Sequence, residues 1–141
     1  MSIILKTTNL CKSFNGQTAV NNISLNIERN SVYGLLGPNG AGKSTTMNMI
    51  TGYLAPTAGT VKVDGFDIVK EPEKAKEHIG YLPEIPPLYS EMTVEEYLKF
   101  AAELKHIPGK ERAAQIEKAI KTAQLEAVSY THLTLPTNSR V

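Results

Sequence analysis

Nine consecutive residues constrain this chain more than anything else in it. Gly37-Pro38-Asn39-Gly40-Ala41-Gly42-Lys43-Ser44-Thr45 matches the pattern G-x-x-x-x-G-K-[ST], a loop built to cradle phosphate. Gly40 and Gly42 permit backbone angles that a Cβ would penalise. Successive N–H groups can then turn inward around an anion, and the helix that follows points its positive end at the same place. Lys43 supplies a full charge for the β- and γ-phosphates of a nucleotide. The Ser44 hydroxyl is a hard oxygen suited to Mg²⁺. The bland reading is a structural turn. It is disfavoured because an apolar run, Val32 to Leu36, precedes the loop and a helix from about Ser44 to Ile50 follows it, the order that such a loop requires.

The remaining pattern predicts an α/β chain. Ile3 and Leu5 alternate with polar residues, as do Ile23, Leu25 and Ile27, with Asn15-Gly16 between them as a turn; this is the period of half-buried strands. Val32 to Leu36 is continuous and reads as a strand buried on both faces, as in a parallel sheet. Val61 and Val63, then Asp64-Gly65, then Phe66 and Ile68 predict a second hairpin. Pro72 suits the first turn of a short helix to about His78, and Ile79 to Leu82 is a short strand candidate. Pro83, Pro86 and Pro87 exclude regular structure in the next segment. Thr93 with Glu96 is a capping-box pattern, followed by Val94, Tyr97, Leu98, Ala101 and Leu104 at helical spacing. After Pro108-Gly109 a second helix runs from Lys110 with Ala113, Ile116, Ile120 and Ala123 on one stripe.

Composition excludes several classes. Fifteen Lys and Arg against 14 Asp and Glu leave a net charge of +1, which gives no electrostatic footprint for nucleic acid. One cysteine cannot form an internal disulfide, which fits a reducing cytoplasm and excludes a Cys-rich metal site. No His pair has metal-ligand spacing. The chain contains no apolar run of the roughly 18 residues that a membrane span needs, and Met1 to Leu10 carries no signal-peptide pattern.

Gly-Pro-Asn-Gly-Ala-Gly-Lys-Ser-Thr resembles the ATP-binding-cassette (ABC) family of nucleotide-binding domains, and the resemblance extends over about Ile3 to Ala127. It implies a P-loop NTPase with an N-terminal antiparallel β subdomain and the start of a helical subdomain, truncated. It implies ATP and Mg²⁺ as ligands, with Gly37, Pro38, Asn39, Gly40, Ala41, Gly42, Lys43, Ser44 and Thr45 around the phosphates. Phe14 lies where the family places an aromatic that stacks on adenine; read on its own, Phe14 is equally a core aromatic. Ile79-Gly80-Tyr81-Leu82-Pro83-Glu84 resembles the family's Q-loop. Its usual Gln touches Mg²⁺ and the attacking water, so Glu84 is a candidate metal and catalytic residue beside Lys43. The alternative for Glu84 is a solvated loop carboxylate. The resemblance further implies an ATPase subunit on the cytoplasmic face of a membrane, paired with a transmembrane permease and dimerised through its ATP-binding domains. Overall similarity is greatest to bacterial multidrug- or antibiotic-exporter ATPases. A GTPase or small-molecule kinase is disfavoured, since no Asn-Lys-x-Asp segment and no Arg-rich lid occurs.

The family's acidic residue that closes an apolar strand and holds Mg²⁺, the Glu beside it that acts on the water, its Leu-Ser-Gly-Gly-Gln-type signature and its switch His lie after the position of Ala127 and have no counterpart here. Residues 128–141 instead resemble translated adapter sequence: gtc tct tat aca cat ctg acg ctg ccg acg encodes Val128 to Thr137 and matches the end of a transposase-based library adapter. Residues 1–127 are therefore expected to be the front part of an ABC ATP-binding domain and 128–141 a non-native tail, the alternative being a natural disordered C-terminus. On this reading the 141 residues bind ATP without turnover.

Overall fold

The computed structural model describes residues 2–133. The chain divides into two units, Met1–Tyr81 and Leu82–Val141.

The first unit is a four-stranded antiparallel sheet with two short helices. Strand β1 (Ile3–Phe14) and strand β2 (Gln17–Glu28) form a long hairpin. Asn15 and Gly16 close it, both with positive φ, the geometry whose twist matches the flanking strands. Helix α1 (Lys43–Ile50) follows the phosphate-type loop, then strands β3 (Ala58–Val63) and β4 (Phe66–Asp67) and helix α2 (Pro72–Glu77). The spatial order is β2-β1-β3-β4. Leu10 and Val20 from the hairpin, Val61 and Val63 from β3, Ile68, Met49 of α1 and Ala75 of α2 form the core. The β pattern thus places alternate residues of the sheet under the helices.

The second unit begins in the Pro-rich segment and contains helices α3 (Val94–Leu104) and α4 (Gly109–Thr122). Tyr89 meets Phe100 edge-on at 5.7 Å, and Val94 and Ala102 are buried. Arg112 fixes the turn between the helices: its Nε donates to Ile107 O at 2.8 Å, and its Nη1 donates to Glu103 Oε1 at 2.8 Å.

The capping box at α3 is complete. The Glu96 N–H donates to Thr93 Oγ1 at 3.3 Å, and the Thr93 N–H donates back to Glu96 Oε2 at 2.8 Å. That backbone donor, then the Thr93 hydroxyl, hold the Glu96 carboxyl below its ordinary value of 4.5. Its support of the cap is therefore full above pH 4.5 and is lost as pH falls through the lower folded-state value. Thr93→Ala is expected to cost about 1 kcal/mol of local helix stability and to weaken this acid dependence without abolishing it, because the residue-93 N–H still donates to Glu96. Amide exchange at Val94 to Tyr97, followed between pH 3 and pH 6, reads both effects.

Residues 128–133 lie against the start of α3. The Val94 N–H donates to Thr131 O at 3.2 Å, the Glu95 N–H to Ser129 O at 3.0 Å and the Leu133 N–H to Met92 O at 3.0 Å. These bonds use main-chain groups that any sequence carries. The rest of the tail, residues 134–141, lies outside the described residues.

Two expected strands do not form. Val32 to Leu36 runs without regular pairing, with Val32 fully exposed and Leu36 92% exposed. Ile79 to Leu82 likewise forms no strand, and Leu82 is exposed. An apolar run becomes a strand only where a neighbouring backbone accepts its hydrogen bonds. Among the described residues neither segment joins the sheet β2-β1-β3-β4.

Candidate functional site

The loop from Gly37 to Gly42 enters α1 without a side-chain cap, and no acidic residue lies in the helix's first turn. The first three helical N–H groups, of Lys43, Ser44 and Thr45, precede the repeating backbone ladder, which begins when the Thr46 N–H donates to Gly42 O at 2.8 Å. Helix starts normally satisfy such donors with Ser, Thr, Asp or Asn. At this one no side chain does so. Thr46 anchors the turn from below: it is buried, and its hydroxyl donates to Gly42 O at 2.9 Å.

Gly42 is required twice over. Its φ is +84°, and a Cβ there would stand 2.4 Å from Ala19 O and 3.2 Å from Val20 Cγ2. The end of the loop is therefore packed onto β2, on the hairpin whose tip carries Phe14. Gly40 also has a left-handed φ, +83°, but open space around it. The Ala41 N–H donates to Pro38 O at 3.2 Å, closing a turn over Asn39 and Gly40. Lys43 folds back over this turn. Its Nζ donates to Gly37 O, and to Pro38 O at 2.7 Å. The ammonium thus rests on two carbonyls of the loop. Ser44 is exposed at the first turn.

Phe14 ends β1 and is 46% exposed; it is not a core residue. Lys12 Nζ lies 5.2 Å from its ring centroid and donates to Ala55 O at 2.7 Å. Lys12 and Ala19 were not singled out by motif. Lys12 had a signal, since positions two apart on a strand share a face. Ala19 contributes a backbone oxygen, which no sequence pattern marks.

Glu84 belongs to the second unit and is exposed in a bend. Among the described residues no cluster of three or more His, Cys, Asp or Glu side chains could hold a metal.

The family model for the ABC transporter matches residues 20–139. The chain belongs to the ABC transporter family of ATP-binding domains. This ABC chain is 38% identical over 127 residues to YxlF of Bacillus subtilis (strain 168), an uncharacterised ABC transporter ATP-binding protein; the match covers 90% of the chain and 41% of YxlF. It is 40% identical over 116 residues to the linearmycin resistance ATP-binding protein LnrL of the same organism, covering 80% of the chain and 37% of LnrL. A solved ATP-binding subunit of an ABC transporter superimposes with a TM-score of 0.81 at 29% identity, over 92% of this chain and 54% of that one. The chain thus spans less than half the length of either curated relative. The antiparallel subdomain followed by helices agrees with the fold expected for the family.

Proposed function

We propose that this ABC chain is the front part of a transporter's ATP-binding subunit and binds Mg-ATP at its Gly37–Thr45 loop. The observation that carries the reading is the uncapped start of α1, wrapped by a loop whose Gly42 has no room for a side chain. In this reading the Gly37, Pro38, Asn39, Gly40, Ala41 and Gly42 backbone surrounds the phosphates. The N–H groups of Lys43, Ser44 and Thr45 point at them, and the Lys43 ammonium neutralises the β- and γ-oxygens. Ser44 offers its hydroxyl to Mg²⁺, and the bound ion would offset phosphate charge. Phe14 offers a ring face to adenine. For Glu84 a metal or water contact rests on the resemblance of Ile79 to Glu84 to the family's Q-loop.

The whole subunit is proposed to hydrolyse ATP, to dimerise through its ATP-binding domains and to serve a transmembrane permease from the cytoplasmic face. Among the described residues no helix is long and apolar enough to cross a membrane. Similarity to LnrL, named for linearmycin resistance, supports the exporter branch. Residues 128–141 are proposed to be adapter-derived, and the natural sequence downstream of Ala127 decides that point.

A second reading concerns the 141 residues themselves, which span 41% of YxlF: they bind ATP without turning it over. Calorimetric titration of the purified chain with Mg-ATP, paired with a steady-state phosphate-release assay, tests both readings. Saturable one-to-one binding with no release is expected. Absence of binding at millimolar ATP overturns the first reading, and sustained phosphate release overturns the second.

A further inference from the structure

The tip of the β1–β2 hairpin holds an arrangement that the phosphate loop does not explain. Lys12 and Phe14 occupy one face of β1, and the Lys12 ammonium stands 5.2 Å from the Phe14 ring centroid, within the range in which a cation is drawn to an aromatic face. The ammonium is itself held, because Nζ donates to Ala55 O at 2.7 Å in the segment after α1. The same segment grips the strand on either side of Lys12. The Thr57 N–H donates to Cys11 O at 2.9 Å, and the Ser13 N–H donates to Thr57 Oγ1 at 3.1 Å. One ring face is thereby covered by a fixed charge, while Phe14 remains 46% exposed.

We propose that Lys12 is a positioning residue for the nucleotide base: it holds the Phe14 ring from one side so that the other side is ready to stack a purine. This rests on the reading of Phe14 as the base-stacking aromatic. An unsupported aromatic at a hairpin tip samples several rotamers, and a base that stacks on it must select one, which weakens binding. A ring already clamped by an anchored ammonium removes that loss. Lys12 Nζ meets the Phe14 ring and Ala55 O, neither of them in the Gly37–Thr45 loop, so its contribution is assigned to the base half of the ligand alone.

The test compares Mg-ATP with Mg-tripolyphosphate, which lacks the base, by calorimetry on the full 141-residue chain. Lys12→Met keeps the length and apolar stem of the side chain and removes the cation. It is expected to weaken ATP binding roughly threefold to tenfold and to leave tripolyphosphate binding unchanged. Lys12→Arg, which retains a cation over the ring, is expected to restore ATP binding. Equal weakening of both ligands overturns the proposal by making Lys12 merely structural, and so does unchanged ATP affinity in Lys12→Met. A wild-type chain that binds tripolyphosphate as tightly as ATP overturns the base-stacking role of Phe14, and this proposal with it. A wild-type chain that binds neither overturns the phosphate-loop reading itself.

Discussion

Lys43→Met is expected to lower ATP affinity roughly tenfold to hundredfold while leaving the stability of the chain nearly unchanged. The two effects separate because of where the ammonium rests. It donates to the carbonyls of Gly37 and Pro38, on an exposed loop. Water replaces such donors readily, so removing the charge should shift unfolding by no more than about 0.5 kcal/mol. A bound triphosphate offers no equivalent substitute. A charged hydrogen bond to phosphate contributes about 1.5–3 kcal/mol, and every 1.4 kcal/mol is about tenfold in affinity. Calorimetry with Mg-ATP beside a urea denaturation series reads the split. Loss of stability in step with affinity would show that Lys43 braces the loop rather than binding the ligand.

That prediction concerns a residue visible in the sequence, and the legible features share a physical character. Asn15-Gly16, Pro72 and the Thr93–Glu96 pair act over one to three residues, and each forms as expected. Helix α4 shows the limit of periodicity. Its apolar stripe predicts the helix, yet none of its residues is buried, because spacing specifies an element and not its partner. Val32 to Leu36 fails for the same reason: strand formation depends on a second backbone, and among the described residues none is paired with it. The least legible part of the site is its bracing. Lys12 reaches a carbonyl 43 residues away, and Gly42 owes its constraint to the backbone oxygen of Ala19. Both contacts end on main-chain atoms, which carry no residue signature.

Gly42→Ala should be among the most damaging single substitutions in the first unit, and comparison with Gly40→Ala isolates the reason. Both glycines have nearly the same left-handed angle, +84° and +83°. An L-residue held there loses about 1–2 kcal/mol in either position. Around Gly40 no atom lies within 4 Å of a Cβ, whereas at Gly42 the Cβ would stand 2.4 Å from Ala19 O. Relieving that overlap requires the loop to lift from β2, at a further cost of about 1–3 kcal/mol. Gly42→Ala is thus expected to destabilise the chain by roughly 2–5 kcal/mol and Gly40→Ala by about 1–2 kcal/mol, measured as the shift in urea midpoint. Equal shifts would mean that the backbone angle alone matters and that the loop does not bear on the hairpin. If the shifts differ, the consequence reaches the ligand. β2 is paired to β1, and Phe14 at the end of β1 is paired with Gln17 at the start of β2. Lifting the loop from Ala19 therefore moves the phosphate cradle relative to the ring proposed to meet the base. Gly42→Ala should then weaken ATP more than tripolyphosphate, because only the longer ligand has to reach both.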